Sequence, residues 1–312
     1  SSGGAAAASA SGTTTLATGS DSAGSIRMPA AMCGIAGYKA PYGRNPGSPE
    51  VAMDPFFHIG PMTRTAGDAA LMQNVMSGLH ARDHSTLPQR LTLPDTFPDV
   101  AGMKIAWSMD LGVYEVSSGV RANTKAVLDQ LRDAGAIIEE IETPWAQHAK
   151  ANVGMWGGHI YGDEFSDAVD NHPDLVCEYT RTFDQENRTI TPREFHACMQ
   201  AIGQTWAEFG PQLARHDAFL CPTVGTTEIG ADVRDWVDPI TVDGVEHDVN
   251  KVIMTFLFNG FSRCPALSVP SGLAGDGVPT GIQIVGNPYD DKAVFRIAQA
   301  LEGRVDFGKI AL

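Results

Sequence analysis

Two serines in small-residue segments are the residues of this sequence best suited to covalent chemistry. Ser1 opens the run Ser-Ser-Gly-Gly, and Ser25 follows it by twenty-four residues. Ser25 closes the run Ser22-Ala23-Gly24-Ser25, which offers consecutive backbone N–H groups with almost no side-chain bulk beside them. Such a run can bend into a nest that binds an oxyanion. A serine beside an oxyanion nest is what acyl transfer requires, so the two segments predict a serine nucleophile.

The segments around these serines resemble motifs of the amidase signature family. Residues 19–27 read GSDSAGSIR, similar to the family's GTDxGGSIR, at the family's spacing from its Ser-Ser-Gly-Gly segment. Residues 29–39 read PAAMCGIAGYK, similar to the family's PAxxCGxxGxK. Weaker matches follow in the family's order: HIGPMTRT at 58–65, CPT at 221–223, PALSVP at 265–270 and GIQIVG at 281–286. The resemblance therefore covers nearly the whole chain.

The resemblance implies a Ser–Ser–Lys triad. In it Ser25 is the acylated nucleophile and Ser1 is the bridging serine, which in the family follows a cis peptide bond. The implied oxyanion donors are the backbone N–H groups of Ser22, Ala23, Gly24 and Ser25. Asp21 and Arg27 resemble the pair that fixes the loop around the nucleophile. Ala23 stands where the family usually has Gly, and a positive φ there would cost about 1 kcal/mol.

The lysine of that triad lies upstream of the Ser-Ser-Gly-Gly segment in the family, and this chain begins at that segment. A buried lysine loses its proton more easily because desolvation disfavours the ammonium, and it can then accept a proton relayed from Ser25 through Ser1. Lys39 matches a different, non-catalytic lysine of the family. We therefore expect a single amidase-signature domain over residues 1–312 that lacks the lysine segment, and a fragment that is inactive alone.

Composition narrows the classes of partner. The net charge is −15, from 22 basic and 37 acidic residues, which argues against nucleic acid and anionic membrane surfaces. The five cysteines include no C-x-x-C pair, so reduced thiols and a cytoplasmic location are expected. The histidines show no metal-ligand spacing. We expect a small-molecule amide as the partner and no metal or organic cofactor, and a homodimer stays an open alternative.

Periodicity and turn signals predict an α/β fold, and the resemblance implies a mixed central β-sheet flanked by helices on both faces. Helices are expected over residues 3–11, 120–134, 192–215 and 290–301, near Pro29, and from the capping-box-like Thr65-x-x-Asp68 to about Gly78. Strands are expected over residues 13–18, 102–110, 136–141, 218–221, 266–269 and 281–285. The segment 102–141 is thus a strand–helix–strand unit. The Pro-rich residues 87–99 predict a linker-like excursion.

The resemblance leaves three functions open. The first is a stand-alone amidase that acts on linear amides: the substrate acylates Ser25, ammonia or an amine leaves, and water releases the acid. The second is a glutaminase-type subunit of a tRNA-dependent amidotransferase, which passes ammonia to a partner. The third is an inactive truncated module that keeps the loop only as structure. The HIGPM block at 58–62 and residues 91–99 look more like the stand-alone amidases, so we favour the first.

Overall fold

A computed structural model describes residues 2–234 and 237–305, and an eight-stranded mixed β-sheet lies at the centre of its fold. The strands in chain order are β1 (Leu16–Asp21), β2 (Ala36–Lys39), β3 (His58–Thr63), β4 (Lys104–Trp107), β5 (Ile137–Glu140), β6 (Ala218–Pro222), β7 (Ile240–Val242), β8 (Val245–His247), β9 (Ala266–Leu273) and β10 (Pro279–Gly286). The spatial order in the sheet is β1-β3-β2-β9-β10-β6-β4-β5. Strands β7 and β8 form a separate antiparallel hairpin.

Helices surround the sheet. In chain order they are α1 (Gly3–Ala10), α2 (Arg27–Met32), α3 (Ala66–Met76), α4 (Ser118–Asp133), α5 (Ala146–Asn171), α6 (Glu178–Asn187), α7 (Pro192–Leu213), α8 (Leu257–Gly260) and α9 (Asp291–Glu302). Strand β4 pairs in parallel with both β5 and β6, whereas the other neighbours in the sheet are antiparallel. Parallel neighbours need a crossover connection, and α4 supplies it between β4 and β5.

The central strands are covered on both faces. Every residue of β10 is buried, which is why its sequence is an apolar run rather than an alternating one. Ile282 and Ile284 belong to the main hydrophobic core together with residues of α4 and α9. Gly281 faces the other side, where a Cβ would lie 2.5 Å from the Ala31 Cβ. The missing side chain therefore lets α2, the helix that follows the predicted nucleophile, lie directly on the sheet.

Most elements expected from the sequence are confirmed. The Thr65 side chain caps α3 by accepting from the Asp68 N–H, and α4 ends next to Gly135, whose φ of +89° favours glycine. The predicted strand–helix–strand unit is confirmed, and its two strands pair in parallel. Two boundaries were wrong: β1 begins at Leu16, and β4 covers only four residues. Pro211 lies inside α7, which ends at Leu213, close to the predicted end at residue 215.

Several elements were not predicted. Strand β2 has only four residues, and β3 contains Gly60 and Pro61, which are unfavourable in strands. Helix α5 has little amphipathic patterning because it packs between α6 and α7, and the hairpin strands have three residues each. The segment 87–99 has no helix or strand, as its prolines indicated.

Within the described residues, no helix is both long and apolar enough to cross a membrane. All five cysteines are free thiols, and three of them are buried: Cys198, Cys221 and Cys264. The described part of the chain also holds no group of three or more His, Cys, Asp or Glu side chains placed to share a metal ion.

Candidate active site

The predicted nucleophile lies in the short loop between β1 and α2. Strand β1 ends at Asp21 and α2 begins at Arg27, so residues 22–26 make the whole connection. The Met28 N–H donates to the Gly24 carbonyl at 2.7 Å, which starts the helical turn inside the loop. Ser25 is half-buried and lines a cavity of about 360 Å³. The loop thus exposes Ser25 to a space that a small molecule can enter.

A buried ion pair between Asp21 and Arg27 fixes the two ends of this loop. Asp21 and Arg27 are both fully buried, and Arg27 donates from Nε to Asp21 Oδ2 and from Nη2 to Asp21 Oδ1, each at 2.9 Å. Burial alone would raise the pKa of Asp21. The Arg27 charge and hydrogen bonds from Arg27 and Asn259 outweigh burial and hold the pKa of this carboxyl well below its usual range. Asp21 therefore stays ionised, and the two residues predicted as a pair are in direct contact.

Three residues far along the chain complete the anchor, and the sequence analysis missed all of them. Arg27 Nη2 donates to Asn259 Oδ1 at 2.6 Å, and Arg27 Nη1 donates to Gln283 Oε1 at 2.9 Å and to the Thr255 carbonyl at 3.1 Å. Asn259 Nδ2 also donates to the Asp21 carbonyl at 2.9 Å. A polar side chain inside an apolar strand is the signal that could have identified Gln283, because buried amides need partners.

Gly24 occupies a position that no larger residue fits. Its φ is +124°, and a Cβ there would lie 2.0 Å from Thr255 Oγ1. Thr255 Oγ1 in turn donates to the Ala23 carbonyl at 2.6 Å. The Gly24 N–H donates to Asp21 Oδ1 at 2.8 Å. The role of Gly24 as an oxyanion donor therefore stays a prediction, and it requires that this N–H be shared between Asp21 and the substrate.

The other three predicted oxyanion donors differ from Gly24, whose N–H already has a hydrogen-bond acceptor. Within the described residues, the N–H groups of Ser22, Ala23 and Ser25 have no hydrogen-bond acceptor. The non-glycine residues with positive φ in this part of the chain are Leu111, Asp243 and Tyr289. Ala23 is therefore not strained, and the cost expected for a methyl group at that position does not arise. The role of these three N–H groups as oxyanion donors stays a prediction.

Ser1, the predicted bridging serine, lies outside the described residues. Its neighbour Ser2 contacts the nucleophile loop: the Ser2 N–H donates to the Ser25 carbonyl at 3.0 Å. Ser2 Oγ also accepts from the Ser20 N–H at 3.1 Å and donates to the Ser20 carbonyl at 3.3 Å. The start of α1 is thus tied to β1 and to the loop. The role of Ser1 stays a prediction.

The sequence that builds this loop matches a known family along almost its whole length. The model of the amidase family matches residues 1–295. The chain belongs to the amidase family. Among solved amidases, it is similar to a bacterial aryl acylamidase of the amidase signature enzymes at 27% identity and a TM-score of 0.84. That match covers 97% of this chain and 65% of the aryl acylamidase. The expected mixed sheet flanked by helices is therefore confirmed.

Other relatives in the amidase family are components of a larger enzyme. The chain is 31% identical to a glutamyl-tRNA(Gln) amidotransferase subunit of Geobacillus stearothermophilus, over 99% of this chain and 67% of the relative. The crystal structure of the corresponding protein from Thermotoga maritima is similar at 28% identity with a TM-score of 0.77, covering 99% of this chain and 67% of that one. The chain thus spans about two thirds of the length of these amidase relatives.

Lys39, which resembles a non-catalytic lysine of the amidase family, is a second buried charge near the anchor. It is fully buried, and its Nζ donates to the Cys264 carbonyl at 2.9 Å. Burial, followed by the Arg27 charge, lowers the pKa of Lys39 to about 7. Burial and then the Lys39 charge hold the pKa of His58 well below its usual range. Within the described residues, the hydrogen bond of Lys39 goes to the Cys264 carbonyl. That Lys39 does not replace the triad lysine stays a prediction.

The Lys39→Met variant is expected to remove part of the pH dependence of folding. The unfolded chain keeps the lysine proton up to a pH of about 10, whereas the folded chain releases it near 7. Because the unfolded state then binds more protons, the free energy of unfolding of the wild type should rise by about 2 kcal/mol between pH 7 and pH 9 through this group. Below pH 7 that gain is absent.

Urea unfolding at pH 7 and pH 9 measures this effect as a difference between wild type and Lys39→Met. The exposed Lys104→Met is the matched control for loss of one positive charge. Lys104→Met should keep the wild-type pH dependence. An equal change with pH in Lys39→Met and wild type would show that Lys39 keeps its proton when folded.

Proposed function

We propose that this amidase-family chain carries the nucleophile of a serine-dependent amide hydrolase. Ser25 Oγ attacks the carbonyl carbon of a small linear amide, the C–N bond breaks, and ammonia or an amine leaves. Water then cleaves the ester on Ser25 and releases the carboxylic acid. One observation carries the proposal. Ser25 borders a cavity, and the N–H groups of Ser22 and Ala23 in the same loop have no acceptor within the described residues. Asp21 fixes this loop by accepting from the Gly24 N–H.

The proposed chemistry assigns each part of the loop a task. The proton of Ser25 Oγ passes through Ser1 to the lysine that the family's triad implies, and from there to the leaving nitrogen. The negative charge on the carbonyl oxygen is stabilised by the N–H groups of Ser22, Ala23 and Ser25. Such a donor typically contributes about 10²–10³-fold to the rate. Asp21 and Arg27 hold these groups in position before the substrate arrives.

A fluorophosphonate probe tests the assignment of the nucleophile. In a protein that carries this chain together with the lysine of the triad, the probe should phosphonylate Ser25 Oγ with loss of fluoride, and mass spectrometry of the peptides should locate one adduct there. Ser25→Ala should abolish labelling, whereas Ser11→Ala, which changes an exposed serine after α1, should leave it unchanged. Stoichiometric labelling of Ser25→Ala, or no labelling of the wild type, would overturn the proposal.

The relatives named as amidotransferase subunits favour a second function, release of ammonia from glutamine for a partner. The two functions differ in their preferred amide. A glutaminase-type protein should hydrolyse glutamine faster than other amides of similar size, and a stand-alone amidase should not. Steady-state rates of ammonia release from glutamine and from simple aliphatic and aromatic amides distinguish them directly.

A further inference from the structure

Asp54 is a buried carboxylate that the proposed chemistry does not use. It is 5% exposed and lies in the loop that leads into β3. Its Oδ1 accepts from the Phe56 N–H at 2.9 Å and from Trp156 Nε1 at 2.8 Å, and its Oδ2 accepts from the Tyr161 hydroxyl at 2.6 Å. Asp54 therefore joins the β3 loop to helix α5 through three donors, and all three donor residues line the cavity beside Ser25.

Aromatic rings form the walls of that cavity. Phe56 and Trp156 stack with their ring centroids 4.2 Å apart and an angle of 12° between the planes. Phe165 of α5 and Phe183 of α6 pack at 4.5 Å and also line the cavity. Flat, apolar walls of this kind bind an aromatic ring by burial and by ring–ring contacts. A volume of about 360 Å³ is enough for a substrate that carries such a ring.

The Asp54 hydrogen bonds reach the nucleophile loop. Burial, followed by the hydrogen bond to Asp54, raises the pKa of Tyr161, so its hydroxyl keeps its proton and donates it to Asp54. The Tyr161 oxygen is then free to accept, and Ser22 Oγ lies 3.5 Å from it. The Phe56 carbonyl accepts from Asn259, which also bonds Asp21. The ring walls and the anchor of the loop are thus one connected unit.

The charges at the cavity fit a neutral ring better than an amino acid. Its described lining includes the acidic Glu186 and the amides of Asn187 and Asn250, but no Lys or Arg. Glutamine carries an α-carboxylate, and a carboxylate bound away from bulk water needs a cation or several donors. Glu186 is an exposed part of the lining, where it would repel that carboxylate. Glutamine is therefore a poor match to the described lining.

We propose that the cavity beside Ser25 is a subsite for the aromatic ring of an amide substrate, and that Asp54 is the positioning residue that holds its walls. The proposal rests on the proposed function, because it names the substrate class for the same serine. The observation that supports it is that Asp54 accepts hydrogen bonds from three donors. Two of these bonds, from Trp156 and Tyr161, fix the planes of the two rings next to the nucleophile loop.

The first experiment measures binding without catalysis. Acetanilide and 2-phenylacetamide carry the ring on the amine side and on the acyl side of the amide, and acetamide carries none. Each is titrated against Ser25→Ala, with the fluorescence of the tryptophans, of which Trp156 lines the cavity, as the readout. At least one ring amide should bind roughly 10-fold or more tightly than acetamide. Equal binding of all three amides would overturn the subsite even if Ser25 is the nucleophile.

The second experiment tests Asp54. Asp54→Ala frees Trp156 and Tyr161 from their acceptor, so the KM of the preferred ring amide should rise about 10-fold or more, and kcat/KM should fall by a larger factor for the ring amide than for acetamide. Asp83→Ala is the matched control, since Asp83 is a buried carboxylate that holds the Gly47 and Ser85 N–H groups and lies outside this cavity. It should leave the ratio of the two substrates unchanged.

A variant that leaves Asp54 in place keeps the proposal testable if Asp54→Ala does not fold. Phe183→Ala removes one ring from the wall on the half-buried face of α6 and should weaken ring-amide binding by a similar factor. A parallel fall in activity on acetamide and on the ring amide in both variants would reduce Asp54 to a structural residue. The labelling of Ser25 is unaffected by that result, so the two proposals fail separately.

Discussion

In a protein that carries this chain together with the lysine of the triad, replacing Ser25 by Ala is expected to lower kcat for amide hydrolysis by about 10³-fold or more. The variant keeps the cavity, the unpaired N–H groups and the anchor, but no atom remains that can form the acyl intermediate. Some acceleration over water should persist, because charge stabilisation and binding do not need the nucleophile. KM for the preferred amide should change little. Ammonia or amine release under steady-state conditions, with the acid product quantified by chromatography, measures the effect.

Two comparisons make the Ser25 result specific. Ser11→Ala removes an exposed hydroxyl from the end of α1 and should retain wild-type kinetics. No hydrogen bond of Ser25 Oγ is present within the described residues, so Ser25→Ala should unfold at the wild-type denaturant concentration. A variant that folds normally and hydrolyses amides within about tenfold of wild type would show that another residue is the nucleophile.

Asp21→Ala is expected to be the most destabilising single change at the site. It leaves the fully buried Arg27 guanidinium without its carboxylate and the Gly24 N–H without its acceptor. Removing one partner of a buried ion pair typically costs about 3–5 kcal/mol, because the remaining charge is uncompensated. Urea unfolding at pH 7 measures the loss. Asp129→Ala breaks the exposed pair with Arg132 and is the matched control, for which little change is expected.

The loss in Asp21→Ala should depend on pH in a defined direction. The folded-state pKa of Asp21 lies well below its usual range, so its contribution is present in full above the unfolded pKa of about 4. It is lost as the pH falls toward the folded-state pKa, because the unfolded state then binds the extra proton. The stability difference between wild type and variant should therefore narrow below pH 4. A difference that stays constant between pH 7 and pH 3 would contradict the ion-pair account.

Signals within short stretches of sequence predicted those elements whose structure depends on contacts between residues close together in the chain. The Thr65 cap, the Gly135 helix end and the parallel unit around α4 each depend on residues within one short segment. The Asp21–Arg27 contact was implied by the family resemblance and not by a local signal, although the two residues lie only six positions apart at the ends of one loop. The resemblance to a family indicated what such a loop does, which composition and periodicity alone do not show.

Contacts between distant segments were beyond the sequence analysis. Asn259 and Gln283 are the side chains that complete the coordination of Arg27, yet they lie 232 and 256 residues after it. Asp54 bonds Trp156 and Tyr161 from more than a hundred residues away. No spacing rule links such positions, because the tertiary fold alone brings them together. Helix α5 was missed because its sequence has no clear apolar stripe, and it packs against more than one neighbouring helix.

The hydrogen-bond partners of Arg27 lie far from it in the sequence, which has a consequence during synthesis. Its supports at Thr255, Asn259 and Gln283 are translated 228 to 256 residues later. At about 5–20 residues per second, the nucleophile loop leaves the ribosome roughly 10–50 s before its anchor exists. Contacts of such sequence separation form late in folding. A nascent chain therefore contains Ser25 and its loop before Arg27 has the distant partners that fix the loop in the folded protein.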